Sequence, residues 1–296
     1  GSGLTLAYVY MKSSLAEVAA GGSVGATAGS IAAFLIMVLI YSLNKKIIDR
    51  RIEKGDNQLD ASQWKLLFKI LKIAVPITIG SAIYPIMSLI DAALIPNRLM
   101  EFGYTVAEAT AAYGLLTGFC NSIIGLPQVF TQAVSISFVP TNSEDIKLGN
   151  IDHAREHIAL GLRFTLILAF PCAAGIFTLA NPILHLLYMA QPESCDKATV
   201  LLMLMSVGII FLATQQTLAG ALQGIGKHSK PVQNLAIGAI PKIILTFALV
   251  GPFGLAGAPI ATIIAYFTAA ILNYLNLRKY IGFRIPLMSS FVKPAI

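Results

Sequence analysis

The chain has 296 residues, of which 56% are hydrophobic and only 12% charged, with 21 Lys and Arg against 14 Asp and Glu; its mean hydropathy is +0.75. Soluble domains carry about 25% charged residues, so the chain lacks the polar coat that water demands, and lipid is the solvent that fits. The net charge of +7 does not point to nucleic acid, because the basic residues sit in short gaps between apolar runs and form no stripe.

A bilayer core of about 30 Å takes about 20 apolar residues in a helix, and runs of that kind recur along the chain. It starts Gly1-Ser2-Gly3 without a Met and enters an apolar stretch at 4–10 that reads as the tail of a span. The chain therefore reads as a piece of a longer protein, with Gly1-Ser2-Gly3 either native or a vector remnant. Complete spans are expected at 24–42, 66–96, 112–139, 159–178, 199–222, 231–250 and 254–276. The segment after Asn181-Pro182 is too short to cross and is expected at an interface. The fold class is all-α, a polytopic transmembrane helical bundle of roughly seven full spans.

Two polar gaps stand out. Residues 43–65 (LNKKIIDRRIEKGDNQLDASQWK) are basic first and then rich in Gly, Asp, Asn and Gln, as a linker between two helical bundles would be. Residues 141–157 contain Gly149-Asn150, which reads as a turn, and Asp152, a candidate N-cap for a short surface helix.

The basic residues alternate with the spans. One set of connections holds Lys45, Lys46, Arg50, Arg51, Lys54, Lys65, Lys69 and Lys72, then Lys147, Arg155 and Arg163, then Lys227 and Lys230, then Arg278, Lys279 and Arg284. The intervening connections hold Lys12, Arg98 and Lys197, and the 251–257 turn holds none. The positive-inside rule makes loops 43–65, 141–158, 224–230 and 278–284 cytoplasmic.

The sequence has no phosphate loop ending in Lys-Ser/Thr, no HExxH and no GxSxG elbow. Cys120, Cys172 and Cys195 form no CxxC pair, and His153 and His157 lie among charged residues on a solvated face, so neither a metal nor another cofactor is expected. The telling residues are ionisable groups inside spans, which cost about 2.5–3.5 kcal/mol each and normally face a cavity. Lys242 is the deepest. Eleven residues from Pro231 at about 1.5 Å each put it roughly 16 Å into the bilayer. There it either lines a cavity, where it would attract a phosphate or pyrophosphate, or is held by a neighbouring helix's carbonyls, or snorkels to the surface. Asp91 and Arg98 lie seven residues apart near the outer boundary, either as a gate pair or as an ordinary interfacial pair. Thr117, Asn121, Gln128 and Gln132 fall within about 40° of Asn121 on one face of the 112–139 span, and Gln216 and Gln223 share another face. Such polar stripes line water or join helices through hydrogen bonds.

Gly-Ala-Thr-Ala-Gly at 25–29, the basic linker, and LKIAVPITIGSAIYPIMSLIDAALIPNRLM together resemble the multidrug/oligosaccharidyl-lipid/polysaccharide (MOP) exporter superfamily. The segments AYGLLTGFCNSIIGLPQVFTQAVSISFVPTNSE, LAGALQGIGKHSKPV and LAGAPIATIIAYFTAAILN look like its stage V sporulation protein B-like and polysaccharide biosynthesis flippase branch. The resemblance covers nearly the whole chain through the order of these loose patterns. It implies a MATE/lipid II flippase-like fold of two bundles rocking about a central cavity. Residues 1–42 would end the first bundle, 43–65 link, and 66–296 make most of the second. In related lipid II flippases a cavity arginine sits early in the span equivalent to 112–139, where this chain has Leu, Thr, Gly, Asn and Ser.

The function implied is transport, with no bond made or broken. An undecaprenyl-(pyro)phosphate-linked glycan or peptidoglycan precursor would be flipped across a bacterial plasma membrane. Its partners would be the lipid-linked oligosaccharide or lipid II-like substrate, membrane lipids and a coupling H+ or Na+ sensed by Asp91. The alternatives are a MATE-type cation-coupled drug exporter, which would want acids in its cavity, an integral-membrane glycan-assembly enzyme, which would want a large reactive loop, and a non-transporting scaffold.

Overall fold

Inside hydrocarbon every backbone N–H and C=O must find a partner within its own segment, and a chain of long apolar runs meets that demand as helices. The computed structural model describes residues 27, 29, 31–45 and 63–285, which are helices and the turns between them. The expected span tail at 4–10 and most of the 43–65 linker lie outside the described residues. Internal contacts divide the chain into residues 1–67 and 68–296.

The first unit contains helix α1 (Ile31–Lys45). Its apolar side chains are exposed, Phe34 at 66% and Met37 at 71% among them. The second unit begins within helix α2 (Gln63–Glu101) and continues through α3 (Val106–Gly114), a π-helical segment (Leu115–Cys120) and α4 (Asn121–Lys147). Then follow α5 (Ile151–Thr178), the short α6 (Ala180–Leu187), α7 (Pro192–Gly224), α8 (Ser229–Phe253) and α9 (Gly257–Ile281). Among the described residues four continuous helical stretches, Val106–Lys147, Ile151–Thr178, Pro192–Gly224 and Ser229–Ile281, are long and apolar enough to cross a membrane. The last is two crossings, each helix being 25 residues long, or about 37 Å. The eight residues of α6 reach only about 12 Å and do not cross.

Helix α7 is the hub of the second unit. It packs against α4, α5, α6 and α9, and Leu202, Ala213, Leu218 and Leu222 along it are fully enclosed. Three apolar clusters fix the neighbours. Cys120, Ala173, Leu184 and Leu202 join the π segment, α5, α6 and α7; Leu162, Leu222 and Leu277 join α5, α7 and α9. Ile95, Leu99, Ala109, Val250 and Ala258 tie α2 and α3 to α8 and α9. The outer faces present Leu126, Phe130, Phe164 and Ile244 at more than half exposure, an apolar surface that water would not tolerate and acyl chains would.

Close packing depends on small residues. A Cβ on Gly238 would lie 2.8 Å from the Ala265 carbonyl oxygen, and one on Gly220 would lie 2.7 Å from the Ser135 carbonyl oxygen. The α8–α9 hairpin turns at Gly254, whose φ of 59° and ψ of −148° belong to a region open essentially to glycine alone. An asparagine rung also binds α8 to α9: Asn234 Nδ2 donates to Asn273 Oδ1 at 2.7 Å, and Asn276 Nδ2 donates to Asn234 Oδ1 at 3.1 Å.

The polar gap expected at 141–157 is mostly helix. Helix α4 carries on through Pro140 to Lys147, and only residues 148–150 turn before α5 begins. Polar TNSEDIK is compatible with a helix, and continuing the ladder satisfies its backbone more fully than a loop would. Asn150 occupies the N-cap position without a side-chain cap bond, and Asp152 sits within the first turn. Here the candidate cap is corrected. His157 Nδ1 and Asp145 Oδ2, 2.7 Å apart, clasp the two helix ends across the turn.

Candidate functional site: two polar cavities among the helices

The π segment prepares the first site. Its wider turn releases the Gly118 carbonyl, which accepts hydrogen bonds from Ser122 Oγ at 2.5 Å and Tyr188 Oη at 3.4 Å. Phe119 stacks on Tyr188 with ring centroids 3.9 Å apart. These contacts anchor the start of α4, so Thr117, Asn121 and Gln128 all face a cavity of about 460 Å³. Tyr84, Ser88 and Asp91 of α2, Tyr113 of α3, Lys242 of α8, and Thr262 and Tyr266 of α9 complete its polar lining.

Among the described residues Lys242 is the most enclosed charge, 6% exposed. Its Nζ donates to Asp91 Oδ2 at 2.5 Å, with the two side chains 7% and 21% exposed. An ammonium in such surroundings needs a partner or it would not remain charged. Asp91 supplies that partner. Among the described residues the cavity thus holds one cation and one anion, paired with each other and ringed by hydroxyls and amides.

A second cavity of about 440 Å³ lies beside it, and among the described residues its lining contains no carboxylate, ammonium or guanidinium. Gln132 and Ser135 of α4, Gln215, Gln216 and Gln223 of α7, and His228 line it, with Tyr84 bordering both chambers. Tyr84 Oη donates to Gln215 Oε1 at 3.4 Å. Thr131 Oγ1 donates to Gln216 Oε1 at 2.7 Å, and Ser135 Oγ to the Gln216 carbonyl at 2.7 Å. Gln216 therefore both joins helices and lines a cavity, the two readings its position left open.

The structure separates Asp91 and Arg98, which the sequence had suggested as a gate pair. Asp91 turns to Lys242, whereas Arg98 pairs with Glu101 and donates from Nε to the Phe247 carbonyl at 3.0 Å. The Arg98 guanidinium lies 5.0 Å from the Phe102 ring centroid and 4.1 Å from that of Phe247. It lines neither cavity, because Glu101 and the aromatic faces meet its needs close to the end of α2. The polar stripe also divides: Thr117, Asn121 and Gln128 face the charged chamber and Gln132 faces the amide chamber. Tyr84, Gln215 and the α9 residues Thr262 and Tyr266 were not anticipated. Gln215, next to Gln216, was the one with a visible signal. Among the described residues no cluster of three metal-ligating side chains occurs.

The sequence matches the profile of a family described as lipid II flippase MurJ over residues 2–294. It is 26% identical over 294 residues to an uncharacterized membrane protein of Bacillus subtilis, covering 97% of this chain and 53% of that protein. Stage V sporulation protein B of Bacillus subtilis is 22% identical over 279 residues, 94% of this chain and 52% of that one. The fold is similar to a solved lipid II flippase MurJ in an inward closed conformation, with a TM-score of 0.68 at 18% identity, over 99% of this chain and 56% of that one. The chain spans about half the length of the curated relatives it matches.

Proposed function

From the premise that this chain belongs to the lipid II flippase MurJ family, we propose that it supplies one helical bundle of a transporter that moves lipid-linked glycan or peptidoglycan precursors between leaflets. The anionic (pyro)phosphate of an undecaprenyl-type carrier is the group it recognises, and translocation makes and breaks no covalent bond. In this reading residues 1–42 close a first bundle, 43–65 link, and 66–296 form most of a second. The membrane is a bacterial plasma membrane, with the Lys- and Arg-rich turns on the cytoplasmic side.

The observation that carries the proposal is Lys242, a buried ammonium in the wall of a polar cavity deep among apolar helices. An arriving diphosphate competes with Asp91 for that ammonium, exchanging one charge-assisted hydrogen bond for another and leaving the Asp91 carboxylate in need of a new counter-charge. A coupling H+ or Na+ that loads Asp91 weakens its hold on Lys242 and favours the anion, whereas an unloaded Asp91 takes Lys242 back and expels it. Cation and substrate then strengthen each other's binding by the same factor. A drug exporter that captures cations would need acid in excess, and here the one cavity carboxylate is already matched by Lys242.

Translocation of a fluorescent polyprenyl diphosphate-linked sugar, measured in vesicles carrying the complete protein, tests the reading. Lys242→Ala is expected to slow it at least tenfold at unchanged protein content. Translocation at the unaltered rate would remove Lys242 from the mechanism.

A further inference from the structure

Both polar atoms of the Asn142 side chain, Oδ1 and Nδ2, lack a hydrogen-bond partner among the described residues, and the residue is 0% exposed. It sits two residues past Pro140 in α4, against Gly224, the last residue of α7. The contact is tight. A Cβ on Gly224 would lie 2.7 Å from the Asn142 Cβ and 3.1 Å from the Val139 carbonyl oxygen. The end of α7 has little to offer the amide, because the Leu222 and Gln223 carbonyls already accept from the backbone N–H groups of Lys227 and Gly226, each at 2.9 Å. A buried amide in this position carries its desolvation cost with nothing to offset it.

Pro140 makes this the part of α4 that can yield. A proline inside a helix has no N–H to give, so the Ile136 carbonyl one turn back loses its ladder bond and the helix can bend there. On the near side of the bend α4 is pinned. Ser135 Oγ donates to the Gln216 carbonyl at 2.7 Å, and the Phe138 ring lies 2.8 Å from where a Cβ on Gly161 of α5 would stand. On the far side, residues 141–147 make no side-chain hydrogen bond to α7 among the described residues. They are tied instead to α5, through Asp145 Oδ2 and His157 Nδ1. Gly224 follows directly on Gln223, which lines the second cavity together with His228, so a shift of the α4 end changes the mouth of that cavity.

We propose that residues 141–147 of α4 form a hinged flap, with Pro140 as its pivot and the unpaired Asn142 amide as a built-in bias toward release from α7. Closed, as in this structure, the flap rests on Gly224 and leaves the amide dry and unbonded. Released, it lets Asn142 bond to water, and the end of the second cavity opens. The two positions therefore differ less in free energy than apolar packing alone would make them, which is what an element that must move needs. An asparagine kept here for stability would be paired.

Electron–electron distance measurement on the complete protein, spin-labelled through Leu148→Cys and Ser229→Cys, both exposed positions, reads the gap between the ends of α4 and α7. The unaltered protein should show two distances. Asn142→Leu, which keeps the branched shape and removes the amide, should lower the ratio of the longer to the shorter population by about fivefold or more. Asn142→Ala leaves a void but also removes the amide and should lower it too, so a leucine that fits poorly does not decide the matter. Gly224→Ala, whose Cβ meets Asn142, should raise the ratio, and Pro140→Ala, which restores the ladder bond, should lower it. A ratio unmoved or raised by both Asn142 variants overturns the flap, because the amide is then satisfied where it stands. A single distance shared by the unaltered protein and Gly224→Ala overturns it as well.

Discussion

Lys242 and Asp91 stand 151 positions apart in the chain, and each is explained by the other. With its side chain 7% exposed, Lys242 would be left as an uncompensated charge if Asp91 were removed alone. Asp91→Leu is expected to lower unfolding stability in detergent by about 3 kcal/mol, and Asp91→Leu/Lys242→Met to recover most of it. Thermal unfolding of the four proteins in a double-mutant cycle measures this, and losses that simply add would show that the pair is not coupled. The depth of Lys242 was legible because a helix advances by a fixed rise from Pro231. Its partner was not, because only the packing of α2 on α8 decides which acid it meets. Asp91 and Arg98 share a face by spacing, but Arg98 found Glu101 three residues away together with the Phe247 carbonyl.

The helices were legible in their existence and order, since apolar runs of that length have one stable form in lipid. Their ends were harder to read. Hydropathy ends α4 near Val139, yet the ladder continues through the polar TNSEDIK to Lys147, because a helix leaving the bilayer keeps satisfying its own backbone. How closely two helices approach was likewise hidden, since it depends on which neighbour a small residue meets. Gly238 lets α8 come against the Ala265 carbonyl of α9. Gly238→Ala is expected to cost about 2 kcal/mol through overpacking, despite alanine's better helix propensity. Gly175, with nothing within 4 Å of an added Cβ, should tolerate alanine without loss. Unfolding midpoints of the two variants side by side check the contrast.

For the molecule as a whole, the alternation of basic and neutral connections makes a sidedness prediction that can be read chemically. In a Cys172→Ser background, where Cys120 and Cys195 are buried, single cysteines at Leu148 or Lys227 should react with a membrane-impermeant maleimide only from the cytoplasmic side, and one at Met189 only from outside. Labelling of intact cells against inverted vesicles measures this, and the reverse pattern would invert the topology. The cavities were only half legible. Their polar residues stood out against apolar helices, but the sequence could not tell that one turn of α4 separates a charged chamber from a neutral one. The π-helical segment Leu115–Cys120 has a consequence of its own here. One additional residue in a helix rotates everything downstream by about 100°. A family member without that insertion could therefore align residue for residue beyond the gap and still present a different set of side chains to its passenger. Selectivity in such proteins can drift through a single codon gained or lost at a site that touches no substrate.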